Sequence, residues 1–462
     1  MATKETLKKM FLWVLTLGLP FLIWMIPLTD SYTADIKTFL VITVFAILAL
    51  AVGTIPQNTV TFLLPVAYLL IGIAPPELAW LPWTLPVVWM IIGALLLVNV
   101  LETSGVLMRI SYKVILMFGG TYKGLIVGIA VLGVLLNIIL FGNAYVVLAG
   151  LAFGLCKALE LPKFSKEATG IFLVSAIAGI IPGIFLYGAN CLILEGVGAS
   201  VLGERHISYI DYTILNLPGV VYYILATLII LLMFRAGKEL NGKAYFQGKL
   251  NELGKMTFAE KKATVWVILL ISYVIGCGLK GADCTMGFII MPALMTLPGI
   301  GCGNEEDISR LDFSFILFVA SCMSIGFVAQ SLGVGNLVSD LAAPYLENAG
   351  TNSVTLTIYV VNIILNFLLT PMAIWSGFTP TFLEITNLAG INPYVTYSMI
   401  MLGTDQILFP YEYALYMLYF SFGYIAMKDF VKYFGAKMLL CALLLPVLFF
   451  PYWHLTGLFL AK

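Results

Sequence analysis

The sequence has few charged residues. Asp, Glu, Lys and Arg make up 10% of its 462 residues, whereas 61% are hydrophobic. A soluble globular chain has about 25% charged residues, so this composition excludes one. Acidic and basic residues number 24 each, so no charge excess indicates a nucleic-acid partner or a polybasic lipid-binding segment. We predict an all-α polytopic membrane protein whose surroundings are lipid.

Histidine is scarce, and the cysteines are not paired. His206 and His454 are the two histidines, which argues against a histidine-ligated metal enzyme. The seven cysteines form no Cys-x-x-Cys pair, and we interpret them as small buried side chains. Neither His-Glu-x-x-His nor a Gly-x-Ser-x-Gly motif at a turn occurs. The sequence therefore predicts no enzyme and no resident cofactor.

Long apolar runs occupy most of the chain. A helix needs about 20 apolar residues to cross a bilayer, so dividing the chain into spans and loops gives about a dozen crossings. With two re-entrant hairpins in an inverted repeat, we predict about eleven transmembrane helices. The first run, Phe11 to Leu28, has no small-residue cleavage site after it, so we expect a retained helix. Gly and Pro interrupt several runs. Broken backbone at bilayer depth requires surrounding protein or a water-filled cavity.

The basic residues predict the orientation. Seven of them between Arg235 and Lys262 place this loop in the cytoplasm, and the lysines before residue 10 place the N-terminus there too. Basic residues also flank the break at 157–166. The matching break near 386–394 has none, and basic residues return only at Lys428, Lys432 and Lys437. We predict two oppositely oriented halves in the cell inner membrane.

A short internal similarity supports a repeat. The segment Leu136-Asn137-Ile138-Ile139-Leu140 recurs as Leu365-Asn366-Phe367-Leu368-Leu369, and Ala144 matches Ala373 at the same offset. An Asn inside an apolar run is costly unless its amide is satisfied. Inverted repeats with paired interrupted segments are typical of secondary transporters, whose site lies at the repeat interface.

The first interrupted segment is predicted to be a re-entrant hairpin over 136–156. Its tip is Gly142-Asn143, followed by Ala144. Gly permits a close backbone approach, and the Asn amide offers a donor and an acceptor to an anion or to a cation's ligand shell. The alternative is a kinked helix whose Asn143 bonds to a neighbouring helix.

The second interrupted segment is predicted to be a hairpin over 365–386, entering from the opposite face. Pro371 and Pro380 free carbonyls, and Thr370, Ser376 and Thr379 supply hydroxyls. Carbonyl and hydroxyl oxygens can coordinate a small cation. Alternatively, the broken helix can direct half-helix N-termini at an anion. The alternative is a proline-kinked packing helix.

A polar residue follows each hairpin, Asn190 in the first half and Glu412 in the second. An ionised carboxylate at bilayer depth costs about 2.5–3.5 kcal/mol, so Glu412 is a candidate for the coupling-ion site. The alternative is a carboxyl group hydrogen-bonded to helix ends. Glu195 is expected to be solvated near a helix end.

Three segments carry a resemblance to a known family. They are Gly93 to Ala144, which contains Leu101-Glu102-Thr103-Ser104-Gly105-Val106-Leu107-Met108-Arg109-Ile110; Gly254 to Lys262; and Phe315 to Val334. The sequence resembles the divalent anion:sodium symporter (DASS) family of the ion-transporter superfamily. Members carry Ser-Asn-Thr at both hairpin tips and a Thr-Pro-Pro-Asn-like element in each following helix. This chain resembles a divergent member, since it keeps Asn143 and Asn190 and reads Thr370-Pro371-Met372 at the second tip.

The resemblance implies an elevator-type transporter with a static scaffold and a moving transport domain, assembled as a homodimer. The dimer contact would be made by the early helices and by those near 264–350. The expected division is scaffold 1–129, first transport half 130–234, cytoplasmic linker 235–263, scaffold 264–354 and second transport half 355–462.

We therefore expect a secondary active transporter of a small organic anion, a di- or tricarboxylate, coupled to sodium or protons. The alternatives are a channel and a transporter of a non-carboxylate substrate. Sodium is the candidate ion at the hairpin tips. The expected substrate-binding residues are Asn143, Asn190, Thr370 and Thr379, and the expected coupling-ion residues are Gly142, Ala144, Ser376 and Glu412.

Overall fold

The computed structural model describes residues 2–52, 54–118, 121–203, 206–235, 242–280, 285–346, 349–367 and 369–461. These residues are helical apart from turns, loops and an isolated bridge between Ile391 and Leu460. The predicted all-α class is confirmed. Of the cysteines, Cys156, Cys191, Cys322 and Cys441 are buried as expected, Cys277 and Cys302 are half-buried, and Cys284 lies outside the described residues.

The first half of the chain contains thirteen helices within the described ranges. Six precede the first hairpin: α1 (Ala2–Met25), α2 (Ala34–Val52), α3 (Gln57–Ile71), α4 (Pro76–Ala79), α5 (Pro86–Ser104) and α6 (Val106–Met117). The first hairpin segment contains α7 (Tyr122–Ile139) and α8 (Tyr145–Ala158), and five helices follow it: α9 (Lys166–Ile180), α10 (Pro182–Phe185), α11 (Ala189–Leu202), α12 (Tyr209–Leu215) and α13 (Pro218–Met233).

The second half repeats this arrangement after a connecting region. The connecting helices are α14 (Gly242–Glu252), α15 (Phe258–Lys280), α16 (Thr285–Leu294), α17 (Glu305–Ser309), α18 (Phe313–Ser331) and α19 (Val334–Leu346). The last helices are α20 (Thr351–Asn366), α21 (Pro371–Leu388), α22 (Pro393–Thr404), α23 (Ala414–Ser421), α24 (Met427–Leu444) and α25 (Phe450–Leu455). Short 3₁₀ helices lie at Leu81–Thr84 and Pro410–Glu412, and π-helical turns at Leu445–Phe449.

Helix length and composition separate uninterrupted spans from broken ones. Within the described ranges, four segments are long and apolar enough to cross a membrane: Tyr122–Ile139, Lys166–Phe185, Phe313–Ser331 and Met427–Leu455. Two bent pairs, α5 with α6 (74°) and α12 with α13 (62°), bring the number to six. Other apolar stretches are divided into shorter helices, so the total of about eleven crossings stays a prediction.

Two asparagines display the internal repeat. Asn137, near the end of α7, donates from Nδ2 to the carbonyl oxygen of Ala178 in α9 at 2.9 Å. Asn366, at the end of α20, donates in the same way to Thr404 at the end of α22, at 3.0 Å. Each hairpin is thus bonded through its Asn to the helix that follows it. Asn137 and Asn366, which match in the sequence repeat, therefore also occupy equivalent positions in the structure.

Both predicted hairpin segments are interrupted, but their helices are longer than predicted. The first hairpin is α7 and α8, joined by residues 140–144, where Phe141 and Gly142 have φ of +52° and +90°. The second is α20 and α21, with residue 368 of the connection outside the described residues. The predicted starts at 136 and 365 lie in the last turns of α7 and α20, which begin further upstream, so the extent of each hairpin stays a prediction.

The connecting region is tied to the early helices through Arg109 of α6. Its guanidinium Nε lies 2.8 Å from Oε1 of Glu260 in α15, and Nη1 donates to the Gly254 carbonyl oxygen at 2.9 Å. Both side chains of the pair are buried. Part of the predicted linker, 236–241, lies outside the described residues. The pair joins α6 to the end of the connection that is predicted to be cytoplasmic.

The broken helices of both halves lie in the hydrophobic core. In α9 every residue from Ala168 to Ile180 is buried, and the helix packs against both α7 and α8. In α22 every residue from Val395 to Thr404 is buried, and it packs against α20 and α21. Each hairpin therefore rests on a buried helix of its own half, and this positions its tip.

Candidate functional site

A cavity of about 280 Å³ lies between the two hairpin tips. The first tip contributes Gly142 and Asn143, and the second contributes Thr370 and Pro371. The broken helix of the first half contributes Ala189 and Asn190, and that of the second contributes Tyr413 to Leu415. The structure thus brings together the two predicted tips and the predicted Asn190.

Four helix N-termini meet at this cavity. The first residues of α8, α11, α21 and α23 all belong to its lining or lie next to it. The N-caps of three of these helices, Ala144, Gly188 and Tyr413, make no side-chain capping hydrogen bond. The backbone N–H groups of a first helical turn and the positive end of the helix dipole favour an anion. Four such ends around one cavity create an anion-binding environment without a basic side chain.

The first tip is held against the break of its own half. The Phe141 carbonyl oxygen accepts a hydrogen bond from Ala189 N at 3.1 Å. A Cβ at Gly188 would lie 3.1 Å from this oxygen, so the approach requires a small residue. The half-buried Asn143 donates from Nδ2 to the Leu140 carbonyl oxygen at 3.3 Å. This contact curls the tip and keeps the Asn143 amide beside the cavity.

Asn190 lies on the opposite wall of the first half, in the first turn of α11. The short helix α10 ends just before it, and a Cβ at Gly183 would come within 3.2 Å of Asn190 Nδ2. The absence of a side chain at Gly183 therefore makes room for the Asn190 amide. Unlike Asn137, Asn190 lines the cavity.

The second tip is formed by the start of α21. Thr370 is its N-cap, and its Oγ1 accepts a hydrogen bond from Ala373 N at 3.4 Å. Pro371 follows at the first helical position, where the missing N–H costs nothing. Ser376 lies one turn further and donates to the Met372 carbonyl oxygen at 2.8 Å. Thr370, Pro371 and Met372 line the cavity, and Ser376 does not.

The remaining wall comes from helices outside the two repeats. Leu50 and Gln57 come from the region of α2 and α3, and Phe315 and Phe318 from α18. The described residues that line the cavity include no Asp, Glu, Lys, Arg or His. The wall is therefore uncharged, and it combines amide and hydroxyl groups with aromatic rings.

Thr379 and Glu412 lie away from the cavity lining, although both are buried. Thr379 lies within α21, and its hydroxyl has no hydrogen-bond partner within the described ranges. The Glu412 carboxylate accepts hydrogen bonds from Phe409 N at 2.8 Å and Leu408 N at 3.2 Å. Glu412 thus closes the N-terminus of the 3₁₀ helix Pro410–Glu412. This arrangement favours the capping alternative read from the sequence, and a coupling role for Glu412 stays a prediction.

Glu195 is buried rather than solvated. Its carboxylate accepts hydrogen bonds from Tyr187 Oη at 2.8 Å and from Ile207 N at 3.0 Å, and it lies 3.1 Å from His206 Nδ1. The expectation from sequence was wrong because the chain after α11 folds back over Glu195.

Sequence reasoning also missed the most deeply buried ion pair in the described part of the chain. Lys437 Nζ in α24 lies 2.7 Å from Asp405 Oδ2, and both side chains are almost fully buried. Lys437 was read with Lys428 and Lys432 as a returning group of basic residues, but only the latter two are exposed. The available signal was a lone Lys in an apolar stretch, with no other charge from Gly435 to Pro451.

The described residues contain no group of three or more His, Cys, Asp or Glu side chains that could hold a metal ion. A sodium ion at the tips would have to use backbone carbonyl, amide and hydroxyl oxygens. These are the groups that the broken helices provide at the cavity.

Comparisons with known proteins agree with this architecture. Residues 7–459 match the family described as the sodium:sulfate symporter transmembrane region. No curated protein matches the sequence. The YdaH transporter of Alcanivorax borkumensis is similar in structure, with a TM-score of 0.53, 15% identity and 98% of both chains covered.

A second similar structure is MtrF of Neisseria gonorrhoeae, described as illuminating a class of antimetabolite efflux pumps. It has a TM-score of 0.55 and 12% identity, with 92% of this chain and 95% of that chain covered. At these identities the two structures establish the fold. The family match covers nearly the whole chain, so the protein belongs to the sodium:sulfate symporter family, the DASS family that its sequence resembles, and is a multi-pass membrane transporter.

Proposed function

We propose that this protein is a secondary active transporter of a small organic carboxylate, coupled to sodium or protons. The observation that carries the proposal is the meeting of four helix N-termini at one uncharged cavity. Backbone N–H groups are suited to a carboxylate, because they donate hydrogen bonds without adding a full positive charge.

The chemistry of the wall supports an organic anion of low charge. Phe315, Phe318 and Met372 offer apolar surface to a carbon skeleton, and Asn143, Asn190 and Thr370 offer polar groups to oxygens. With no basic side chain in the lining, a dicarboxylate fits better than a tricarboxylate. Sulfate is the second candidate, because the family description names it.

The coupling ion compensates the charge of the substrate. A carboxylate that enters an uncharged cavity in a low-dielectric environment benefits from a cation bound nearby. Sodium is the ion named by the family, and Gly142 and Ala144 at the first tip are the positions we propose for it. Proton coupling is the alternative.

We further propose an elevator-like movement of the two repeats against a scaffold. The cavity has hairpin residues on one side and residues near α2, α3 and α18 on the other, as expected for a site between two domains. The proposed domain starts, 130 and 355, fall within α7 and α20, the first helices of the two hairpin segments. The scaffold would form the homodimer contact.

Counterflow in proteoliposomes tests the transport function. Vesicles loaded with succinate, malate, citrate or sulfate are assayed for uptake of the matching labelled anion, with and without sodium. We expect accumulation with a dicarboxylate. Uptake without counterflow would indicate a channel, and counterflow of sulfate alone would replace the carboxylate.

A thermal-shift screen of the same anions in detergent, with and without sodium, identifies the substrate independently of reconstitution. Asn143→Ala is expected to remove the stabilisation by the anion. Asn387→Ala, at an exposed position near the end of α21, is the matched control.

A further inference from the structure

A buried charged centre lies at the break that follows α22. Lys437 Nζ donates to two oxygens of Asp405, the carboxylate Oδ2 and the main-chain carbonyl, each at 2.7 Å. The ammonium group also lies over the rings of Phe434 and Tyr416, at 5.0 Å and 5.2 Å from their centroids. One buried cation is thus surrounded by a carboxylate, a carbonyl and two aromatic faces.

Other helices complete the surroundings of Asp405. Tyr416 in α23 donates to Oδ1 at 2.6 Å, and Tyr222 in α13 donates to Oδ2 at 3.1 Å. Tyr416 is two residues beyond Ala414 in the cavity wall. Asp405 therefore links α13, α23 and α24, and α23 begins at the cavity wall.

The internal repeat shows that this charge is confined to the second half. Asn137 bonds to Ala178 and Asn366 bonds to Thr404, so the residues that follow, Gly179 and Asp405, occupy corresponding places. Gly179 lines the cavity and has no side chain. The first half thus has an uncharged break, whereas the second has a carboxylate with its own counter-ion.

We propose that Lys437 is a tethered cation that occupies a cation site formed by Asp405 at the second break. A carboxylate and an unwound-helix carbonyl are the ligands that a transporter offers to a coupling ion. Here an ammonium group belonging to the protein fills that position. The Asp405 site at the second break consequently needs no free cation. This goes beyond the proposed function and does not depend on the substrate.

The test is chemical rescue in purified protein without substrate or transport. Lys437→Ala removes the ammonium group and most of its stem, leaving Asp405 without a counter-ion. Methylammonium chloride is titrated at constant ionic strength against choline chloride, and the melting temperature is recorded. We expect a saturable rise in Tm for Lys437→Ala with methylammonium, and none for the parent or for Lys432→Ala, an exposed lysine on the same helix.

The double variant Asp405→Asn with Lys437→Ala lacks the carboxylate and is expected not to respond. An equal response of single and double variants, or no response of either, would overturn the proposal. Lys437→Ala alone could fail to fold while the double variant folds. That result would also support the proposal, because it shows that the Asp405 carboxylate requires a cation. Loss of both variants would contradict it. Because no substrate is used, failure here leaves the transport proposal to its own test.

Discussion

At the residue scale, polar side chains separate into those that face the cavity and those that hold broken helices together. Asn143, Asn190 and Thr370 line the cavity, whereas Asn137, Asn366 and Glu412 bond to backbone groups elsewhere. The sequence does not distinguish these groups, since all are polar residues in apolar runs. Only the direction of each side chain in the fold decides its role.

Asn143→Ala is expected to weaken substrate binding without loss of the fold. A hydrogen bond to a charged ligand contributes about 1.5–3 kcal/mol, which is roughly a 10- to 100-fold change in affinity. The measurement is the concentration dependence of uptake, with expression followed in the same membranes. Uptake equal to that of the Asn387→Ala control would remove Asn143 from the site.

Glu412→Gln separates capping from coupling. The carboxylate accepts hydrogen bonds from Leu408 N and Phe409 N, and a Gln retains an acceptor oxygen. We expect a loss of about 1 kcal/mol in stability, typical of a weakened helix cap, with unchanged sodium and pH dependence of uptake. An altered dependence on either ion would instead assign Glu412 to the coupling site.

At the element scale, the hairpins depend on a few backbone conformations that sequence reading located well. Gly142 was predicted at the first tip, and its φ of +90° explains why glycine is present. Pro371 was predicted to interrupt the second hairpin, and it starts α21. The helix bounds could not be predicted, because apolar residues continue from α7 through the tip without a change in composition. Asp405 was missed because its partner Lys437 is distant in sequence and lies on another helix.

Gly142→Ala is expected to distort the first tip. An L-residue in the left-handed region costs about 1–2 kcal/mol, and the tip contacts Ala189 at the start of α11. We expect a lower Tm and impaired uptake. Gly150→Ala, in an open helical position of α8 with no atom within 4 Å of the new Cβ, is the control and should be neutral or stabilising. Equal effects of the two substitutions would remove the conformational argument.

At the scale of the whole molecule, composition and charge distribution were sufficient for the class of protein. The low charge content and the long apolar runs predicted a membrane protein, and the Leu-Asn repeat predicted two structurally related halves. The convergence of four helix N-termini could not be read from sequence, because it depends on how the halves pack. The repeat predicts in addition that the two hairpins open toward opposite faces of the membrane.

Cysteine labelling of intact cells and inverted vesicles tests this inverted arrangement. Single cysteines are introduced at three exposed positions: Lys163 after the first hairpin, Lys255 before α15 and Asn387 near the end of the second hairpin. The positive-inside rule places Lys163 and Lys255 in the cytoplasm, and the inverted repeat places Asn387 outside. A membrane-impermeant maleimide should therefore label Asn387→Cys in intact cells, and Lys163→Cys and Lys255→Cys only in inverted vesicles. Labelling of Lys163→Cys and Asn387→Cys from the same face would rule out the inverted repeat, even if both hairpins bind the substrate. The parent protein, carrying only its native cysteines, gives the background for each membrane orientation.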